Sequence, residues 1–421
     1  MMNSFFILWL FFQLPPASLS YPTLVDQFYR ERHQSLFWFL PGEEPAALRR
    51  QLLAEIDSAA WRGLDSSRYH PKDVRDGLGG RAGLADSLEM MKWDRVYTDA
   101  AITYCKDLYQ GSGIYSMISY DGISPLYEEA DCKFLLDKLT HIGSASQFKE
   151  LIDNLEPVQK EYQFLQDSLF ATLRESNPTR QRQLAAAMNG YRWIRHHRFS
   201  RFIVVNIASA TLRYYEGDSV KLGMKIVAGQ PSKRTPRFAA WCDKIILYPY
   251  WNVPRKIAVN ELLPVFKRSP SMVAIMNMQI IDGQGRVLDP ARIQWELYNK
   301  ENFPYSMRQS TGCDNALGVI KFDINSPYDV YMHDTNFKLA FLSSRRYYSH
   351  GCIRLEKPIE LGNELLHDRL DTTFLRSCLK DQKPVTLSLD RPVPVFVVYF
   401  TAEADAMGKV NYHKDVYHLL K

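Results

Sequence analysis

Tyr331-Met332-His333-Asp334-Thr335 and, a short spacer later, Ser349-His350-Gly351-Cys352-Ile353-Arg354 are the stretches on which the reading of this chain turns. A cysteine set between glycine and a β-branched residue, with one histidine two places before it and another upstream, is the layout of a thiol acyl-transfer site. The thiolate is the nucleophile, and a free cysteine (pKa ~8.5) is only slightly ionised near neutrality. A neighbouring imidazole that takes the proton is worth ~10²–10⁴ in rate. The glycine lets backbone N–H groups approach a developing oxyanion. Taken singly, a cysteine is most often a small buried hydrophobe; the information lies in the whole string.

Working outward, Phe202-Ile203-Val204-Val205-Asn206-Ile207 and Thr211-Leu212-Arg213-Tyr214-Tyr215 read as strands, with a turn at Glu216-Gly217-Asp218 leading into Val220–Ala228. Gly229-Gln230-Pro231 ends that strand. Further strands are expected at Lys244–Tyr248, Tyr328–His333, Val385–Leu389 and Val395–Thr401, with a helix after Pro358. Residues 21–195 carry helical spacing instead: Leu48, Leu52 and Ile56 ahead of Gly63; Leu135, Leu136 and Leu139; Leu165, Leu169 and Leu173. Thr98-Asp99 is expected to cap a helix that runs to Gly111. The fold class is therefore α+β: a helical N-terminal scaffold followed by a β-rich domain.

The paired motifs resemble the L,D-transpeptidase family of bacterial cell-wall enzymes, whose signature is a histidine, a spacer, then Ser/Thr-His-Gly-Cys-x-Arg/Asn. Asn315-Ala316-Leu317-Gly318, Lys321-Phe322, Tyr250-Trp251-Asn252-Val253-Pro254, the run from Pro392 to Thr401 and Asp415-Val416-Tyr417 are similar to its larger members. The resemblance is weaker before residue 200, at Phe28-Tyr29-Arg30 and Gly63-Leu64-Asp65. It implies a catalytic domain over 200–402, a lid or capping insertion over 255–314 and a C-terminal extension over 403–421. Larger relatives often carry a three-helix peptidoglycan-binding module; here Glu161–Arg174 and Gln181–Trp193 lead directly to the first strand and leave no room for one.

Within that resemblance Cys352 is the nucleophile and His333 the base, with His350 as the competing base. The backbone of His350 and Gly351, with the N–H of Cys352, is assigned to the oxyanion pocket. Asp334 points to the opposite face from its neighbour on a strand, so a backbone carbonyl is expected to hold the second imidazole nitrogen. Arg354 either recognises a substrate carboxylate or makes a structural ion pair. Ser349 bonds the loop or the substrate, and Tyr331 and Trp251 are cleft walls or core. The resemblance implies acyl transfer in peptidoglycan: acylation by a tetrapeptide stem at a diamino acid, loss of D-alanine and capture by an amine to give a 3→3 cross-link. It also implies acylation by carbapenems. Partners are donor and acceptor stem peptides and, by extension, other cell-wall proteins. Water as acceptor, giving a carboxypeptidase or cross-link hydrolase, and a silent wall-binding protein are the alternatives. No cofactor is expected. A zinc site built from His333, His350 and Cys352 is a different-class alternative that lacks an evident fourth ligand.

Length suggests two or three domains. A hydrophobic content of 46% and a charged content of 24% are those of an ordinary globular protein. The net charge of +5 is small, and no basic stripe with interleaved aromatics points to nucleic acid. Phe5–Phe12 is a short apolar core, and Ser18-Leu19-Ser20 offers small residues before a cut at Tyr21, so residues 1–20 read as an export signal to the periplasm or cell envelope. Residues 1–4 hold no Lys or Arg, which leaves an uncleaved anchor as the alternative. Six cysteines minus a reduced Cys352 leave an odd number, so a full disulfide framework is not expected; Cys105 and Cys132 are the candidate pair. Cys313, near Asn315, is a possible second thiol at the cleft.

Overall fold

The computed structural model describes residues 19–78, 87–124, 128–405 and 407–420. The apolar segment Phe5–Phe12 lies outside them. Helices α1 (Pro22–Glu31), α2 (Glu43–Asp57), α3 (Pro71–Leu78), α4 (Ser87–Gln110), α5 (Ile114–Met117), α6 (Glu128–Thr140), α7 (Ala145–Leu155), α8 (Lys160–Arg174) and α9 (Pro178–His196) build the N-terminal half, with the short strand β1 (Tyr120–Asp121). Local chemistry sets their starts. Ser144 caps α7 by accepting the Gln147 N–H at 3.3 Å, and Asn177 caps α9 through the Arg180 N–H at 3.1 Å ahead of Pro178. Gly63 closes the turn after α2 at a φ of 66°, where a side chain would be strained.

Thr98 and Asp99 do not cap a helix. Both lie inside α4, whose start is eleven residues earlier at Ser87. The Thr98 hydroxyl bonds back to the Asp94 carbonyl at 3.0 Å, a use of a mid-helix threonine that competes with capping. The core of this half is aromatic-rich, with Phe28, Tyr29, Trp38, Tyr97 and Tyr104 almost fully buried. Asp94 organises it by accepting the N–H groups of Phe37, Trp38 and Phe39 and the Tyr29 hydroxyl.

After α9 the chain turns to strands β2 (Arg201–Asn206), β3 (Thr211–Glu216), β4 (Ser219–Gly229), β5 (Phe238–Leu247), β6 (Trp251–Asn252), β7 (Met278–Ile281), β8 (Val287–Leu288), β9 (Ser306–Gln309), β10 (Ile320–Asn325), β11 (Met332–His333), β12 (Tyr347–Ser349), β13 (Ile353–Leu355), β14 (Val385–Val398), β15 (Ala402–Ala404) and β16 (Val410–Tyr412). The large sheet runs β5-β10-β11-β13-β4-β3-β2-β14, and β14 pairs again with β5, so the sheet closes on itself. Closure removes the open edges. The two strands expected at 385–389 and 395–401 are one strand. Its register shifts between Ser388 and Val393, where Pro392 lacks an N–H and the strand bulges. That bend lets its second half pair β5 on one side and β2 on the other.

The barrel core holds Ile203, Val205, Ile245, Phe322, Met332, Ile353 and Val395, all but inaccessible to solvent. A helix after Pro358 is present as expected, spanning Pro358–Leu365, with Leu361 and Leu365 in that core. A second apolar cluster joins the two halves: Leu165, Leu184 and Trp193 of α8 and α9 against Phe202, Ala239, Phe396 and Val398 of the barrel. The fold class is the α+β arrangement read from the sequence.

Strands β6–β9 form a separate four-stranded sheet in the order β6-β9-β7-β8. With the helical run over 255–268 they enclose their own core of Phe266, Val273, Ile280, Trp295, Phe303 and Met307. The insertion is thus a small folded body rather than a long loop. Asn315 pins its two roots together, donating to the Pro249 and Ser310 carbonyls at 3.2 and 2.8 Å and accepting the Leu317 N–H at 2.7 Å. The segment after residue 402 is not a loose extension. Tyr417 is fully buried in the barrel core, and Asp415 accepts the Tyr399 hydroxyl at 2.8 Å.

Candidate active site

Strands β11 and β13 pair in parallel, with Met332 opposite Ile353 and His333 opposite Arg354. Met332 and Ile353 point into the core. By the two-residue repeat of a strand, Tyr331, His333, Cys352 and Arg354 share the other face. Lys321 on β10 pairs with His333, so Lys321, His333 and Arg354 form one row across three strands. Cys352 lies one step along from that row, beside Tyr331, whose carbonyl accepts the Ile353 N–H at 3.1 Å.

Cys352 is partly exposed, and its Sγ approaches the Asp329 carbonyl at 3.7 Å. Burial raises its thiol above the ordinary value; hydrogen bonds from Tyr331 and the positive charges of Lys321 and Arg354 act against that rise. His333 is buried, and its imidazole is pushed down to about 3, first by desolvation and then by the Arg354 and Lys321 charges. The resting pair is therefore neutral thiol and neutral imidazole. The two do not hydrogen-bond directly in this state. Catalytic contacts commonly tighten only with substrate in place. His333 Nδ1 is buried without a hydrogen-bond partner, so the backbone carbonyl expected to fix its tautomer does not make a formed bond; the Asp334 backbone still favours the protonated ring, by more than the Lys321 charge opposes it. The Asp334 carboxylate faces the other way, onto the Val319 N–H at 3.0 Å and Lys338. It fills the space beside Gly318, where a Cβ would meet Asp334 Oδ2 at 2.2 Å.

The loop before Cys352 is held by Ser349. Its hydroxyl donates to the Cys352 carbonyl at 2.6 Å and accepts the Gly351 N–H at 3.1 Å. Ser349 is a brace of the loop, and the Gly351 N–H is engaged rather than free for an oxyanion. The N–H groups of Cys352 and His350 have no backbone acceptor among the described residues, which leaves those two as candidate oxyanion donors. Gly351 adopts a φ of 127°, which favours glycine, and its carbonyl accepts the Thr235 hydroxyl at 2.7 Å. Thr235 Oγ1 in turn takes the Gly229 N–H at 2.9 Å, and the buried Tyr417 hydroxyl donates to the Gly229 carbonyl. Thr235 and Tyr417 were not singled out from sequence for this role; the one signal was the Asp415-Val416-Tyr417 run.

The His350 ring turns away from the sulfur and hydrogen-bonds Glu261 of the capping insertion at 2.8 Å; Lys233 joins the same carboxylate at 3.1 Å. This geometry does not favour His350 as the base. It also breaks up the zinc trio: among the described residues no three His, Cys, Asp or Glu side chains are close enough to hold a metal. Arg354 makes no ion pair among the described residues, and its Nε is buried without a partner. Desolvation lowers its pKa. The structural ion-pair reading of Arg354 is therefore not what the structure contains. Tyr331 stands 5.6 Å from the His333 ring, with Lys321 Nζ 4.3 Å above its own ring. Trp251 is half-buried on β6, at the root of the capping sheet, and makes no ring contact with Tyr331 or His333. Ala340 and Phe341 of the spacer pack on Val227, the neighbour of Arg354 across β4, and so wall the site on that side.

Cys105 and Cys132 are both free; the disulfide joins Cys313 to Cys378, with Cα atoms 5.1 Å apart. Cys313 is thus not a second thiol at the cleft. Burial on one helix keeps Cys105 inert, while Cys132 lies against Lys106 Nζ at 3.4 Å.

Residues 200–385 match the YkuD family, described as the L,D-transpeptidase catalytic domain, and residues 23–169 match the family described as a scaffold domain. A Haemophilus influenzae protein named "Putative L,D-transpeptidase" is 29% identical over 403 residues, covering 93% of this chain and 77% of that one. Among solved structures, an L,D-transpeptidase from Mycobacterium smegmatis overlaps 47% of this chain and 58% of its own, at 15% identity and a TM-score of 0.23. The catalytic domain of the Enterococcus faecium enzyme overlaps 47% of this chain and 95% of its own, at 16% identity and a TM-score of 0.20. Residues 200–385 are an L,D-transpeptidase catalytic domain of the YkuD family, carried behind a scaffold domain over residues 23–169.

Proposed function

We propose that this protein is a peptidoglycan L,D-transpeptidase that forms 3→3 cross-links through a thioester at Cys352. One observation carries the reading: a partly exposed thiol, a neutral buried imidazole and an unpaired guanidinium share one face of two adjacent strands. As Sγ attacks the carbonyl of the diamino acid in a tetrapeptide stem, the thiol proton passes to His333. The oxyanion takes the N–H groups of Cys352 and His350. Collapse breaks the C–N bond to D-alanine, whose nitrogen receives the proton from His333. An amine from a second stem then attacks the thioester, loses its proton to His333 and expels the thiol.

Arg354 supplies a cation that lacks a carboxylate inside the protein; the carboxylate of the departing D-alanine is a fitting partner. Tyr331 and Lys321 hold the sulfur's developing charge from the other side. The Cys313–Cys378 disulfide supports an oxidising compartment, and with it the envelope location expected from residues 1–20.

The test is incubation of the purified protein with disaccharide tetrapeptide, followed by mass spectrometry. A cross-linked dimer with loss of D-alanine is expected. Shortened monomer alone identifies water as the acceptor and a carboxypeptidase. No product, and no adduct with a carbapenem, leaves only a wall-binding protein and overturns the proposal.

A further inference from the structure

Asp99 lies inside α4 with no exposed surface, yet no lysine or arginine pairs with it among the described residues. Its Oδ1 accepts the Tyr21 N–H at 2.8 Å. Its Oδ2 accepts the Ser20 N–H at 2.8 Å and meets His70 Nε2 at 2.8 Å. His70 is the one partner that can carry charge, and its hydrogen bond to Asp99 raises the imidazole pKa; the other two donors are neutral amides, which only partly replace a buried carboxylate's lost hydration. The nearby arginine and lysine are committed elsewhere. Arg68 bonds Asp107 at 2.9 Å, and Lys106 donates to Gln110 at 3.2 Å and to Cys132 at 3.4 Å.

The two N–H groups that converge on Asp99 flank the bond at which the sequence places the end of the export signal. Small residues at Ser18 and Ser20 mark the cut before Tyr21. The carboxylate and the cut site are independent observations that meet at one atom, the nitrogen of Tyr21.

We propose that cleavage between Ser20 and Tyr21 creates an α-ammonium group at Tyr21 that pairs with the buried Asp99 carboxylate, so that removal of the leader adds a second cationic partner beside His70. A signal peptidase adds water across the Ser20–Tyr21 amide. Ser20 leaves as a carboxylate that keeps the water's oxygen, and the Tyr21 nitrogen takes up both of the water's protons to become the ammonium. The Ser20 N–H is lost from Oδ2, and the hydrogens of the ammonium replace it with charge-assisted bonds. Tyr21 also holds the N-cap position immediately before α1, so the pair would fix the first helix of the scaffold onto α4. The inference rests on the export reading of residues 1–20 and is independent of the acyl-transfer chemistry.

The experiment starts from the full-length chain expressed in a bacterial host and recovered from the envelope. Intact mass and N-terminal sequencing are expected to give a chain that begins at Tyr21. The rate at which acetic anhydride modifies the α-amine is then measured against pH. Burial alone would lower the amine's pKa, whereas pairing raises it above the ordinary ~7.7–8.0. The other charged or titratable groups around Tyr21 are His70, Asp73, Arg68, Lys106, Asp107 and Cys132. A raised pKa is expected, with modification at pH 7 at least tenfold slower than in the unfolded chain, and with ordinary reactivity restored by Asp99→Asn. The wild-type profile alone decides if that variant does not fold. A chain still carrying residues 1–20, or cut elsewhere, defeats the export reading. A chain that begins at Tyr21 with an amine of ordinary or lowered pKa defeats the pairing alone.

Discussion

His350 and Glu261 are joined at 2.8 Å, and this bond ties the loop that carries Cys352 to the capping insertion. Lys233, on the turn after β4, reaches the same carboxylate at 3.1 Å. Three segments distant in sequence therefore meet at one glutamate beside the Cys352 loop. Burial alone would raise the Glu261 pKa, but the hydrogen bonds from His350 and Lys233 hold it below its usual value. Its contribution is present above the ordinary glutamate range and is lost as pH falls through the lowered value. The pair is well exposed, with 36% and 45% of the side chains accessible, so its worth is limited to about 0–1 kcal/mol. Glu261→Gln is expected to speed hydrogen exchange in residues 255–309 and to alter KM by no more than about fivefold. Exchange confined to wild-type rates would show that the insertion is held by its roots alone.

Cys352→Ala is expected to abolish the covalent adduct with a carbapenem, since no other described thiol shares that face of the sheet. His333→Gln should keep the fold and slow acylation by ~10²–10⁴. Intact mass against time reports both. Wild-type acylation in His333→Gln would reassign the base.

The grouping of the candidate site residues was legible because it is local: the stretches around His333 and Cys352 lie on or beside two strands that pair side by side. The alternation of strands placed Asp334 away from His333 correctly. What pairwise spacing did not carry was the use of each backbone donor. Gly351 gives its N–H to Ser349, and only the folded loop shows that. The partner of Cys313 is 65 residues away, and no local pattern encodes such a pairing. Glu261 and Tyr417 reach the site from separate elements for the same reason. In the scaffold, the apolar spacing found the helices, but Thr98 and Asp99 were read as a cap because both residue types are favoured there. Tertiary partners, the Trp38 indole for Thr98 and the Ser20 and Tyr21 amides for Asp99, override that preference.

Stability should fall in acid through His333. Its folded pKa of about 3, set chiefly by desolvation, lies below the ordinary ~6.5. Between those values the unfolded chain binds a proton that the folded chain does not, so stability rises with pH across the window and is lost as pH drops toward 3. His197, buried and pushed down to about 2, acts in the same direction. Urea midpoints measured from pH 7 to pH 3.5 should show the decline, and His333→Gln should flatten part of it. An unchanged slope in that variant would mean that the ring is already protonated in the folded protein.

Arg354 is expected to serve substrate and thiol together. Arg354→Met keeps much of the stem's packing but removes the cation that helps depress His333 and favours the Cys352 thiolate. The His333 pKa should rise toward its ordinary value, visible by NMR of the ring, and iodoacetamide should alkylate Cys352 more slowly at pH 8. KM for tetrapeptide should rise, by about 10- to 150-fold for the loss of one charged hydrogen bond worth ~1.5–3 kcal/mol. A lower kcat at unchanged KM would instead confine Arg354 to tuning the thiol.

The Cys313–Cys378 bridge stands between the capping insertion and the segment after residues 372–376. Beside it, Ser310 donates to Asp381 at 2.9 Å and Thr311 to the Gln382 carbonyl at 2.9 Å. The bridge closes a loop with a sequence separation of 65, for which chain entropy alone gives roughly 4 kcal/mol. The two hydroxyl contacts survive its loss and hold the same two segments together, so the measured cost should lie nearer the typical ~2–4 kcal/mol. Cys313→Ser with Cys378→Ser should lower the urea midpoint accordingly while leaving carbapenem acylation of Cys352 within a factor of about three, since neither cysteine is among the hydrogen-bonding or electrostatic contacts of Cys352 or His333. If acylation collapses while the barrel stays folded, the bridge must set the position of the capping insertion over the thiol, and the root held by Asn315 would not suffice by itself.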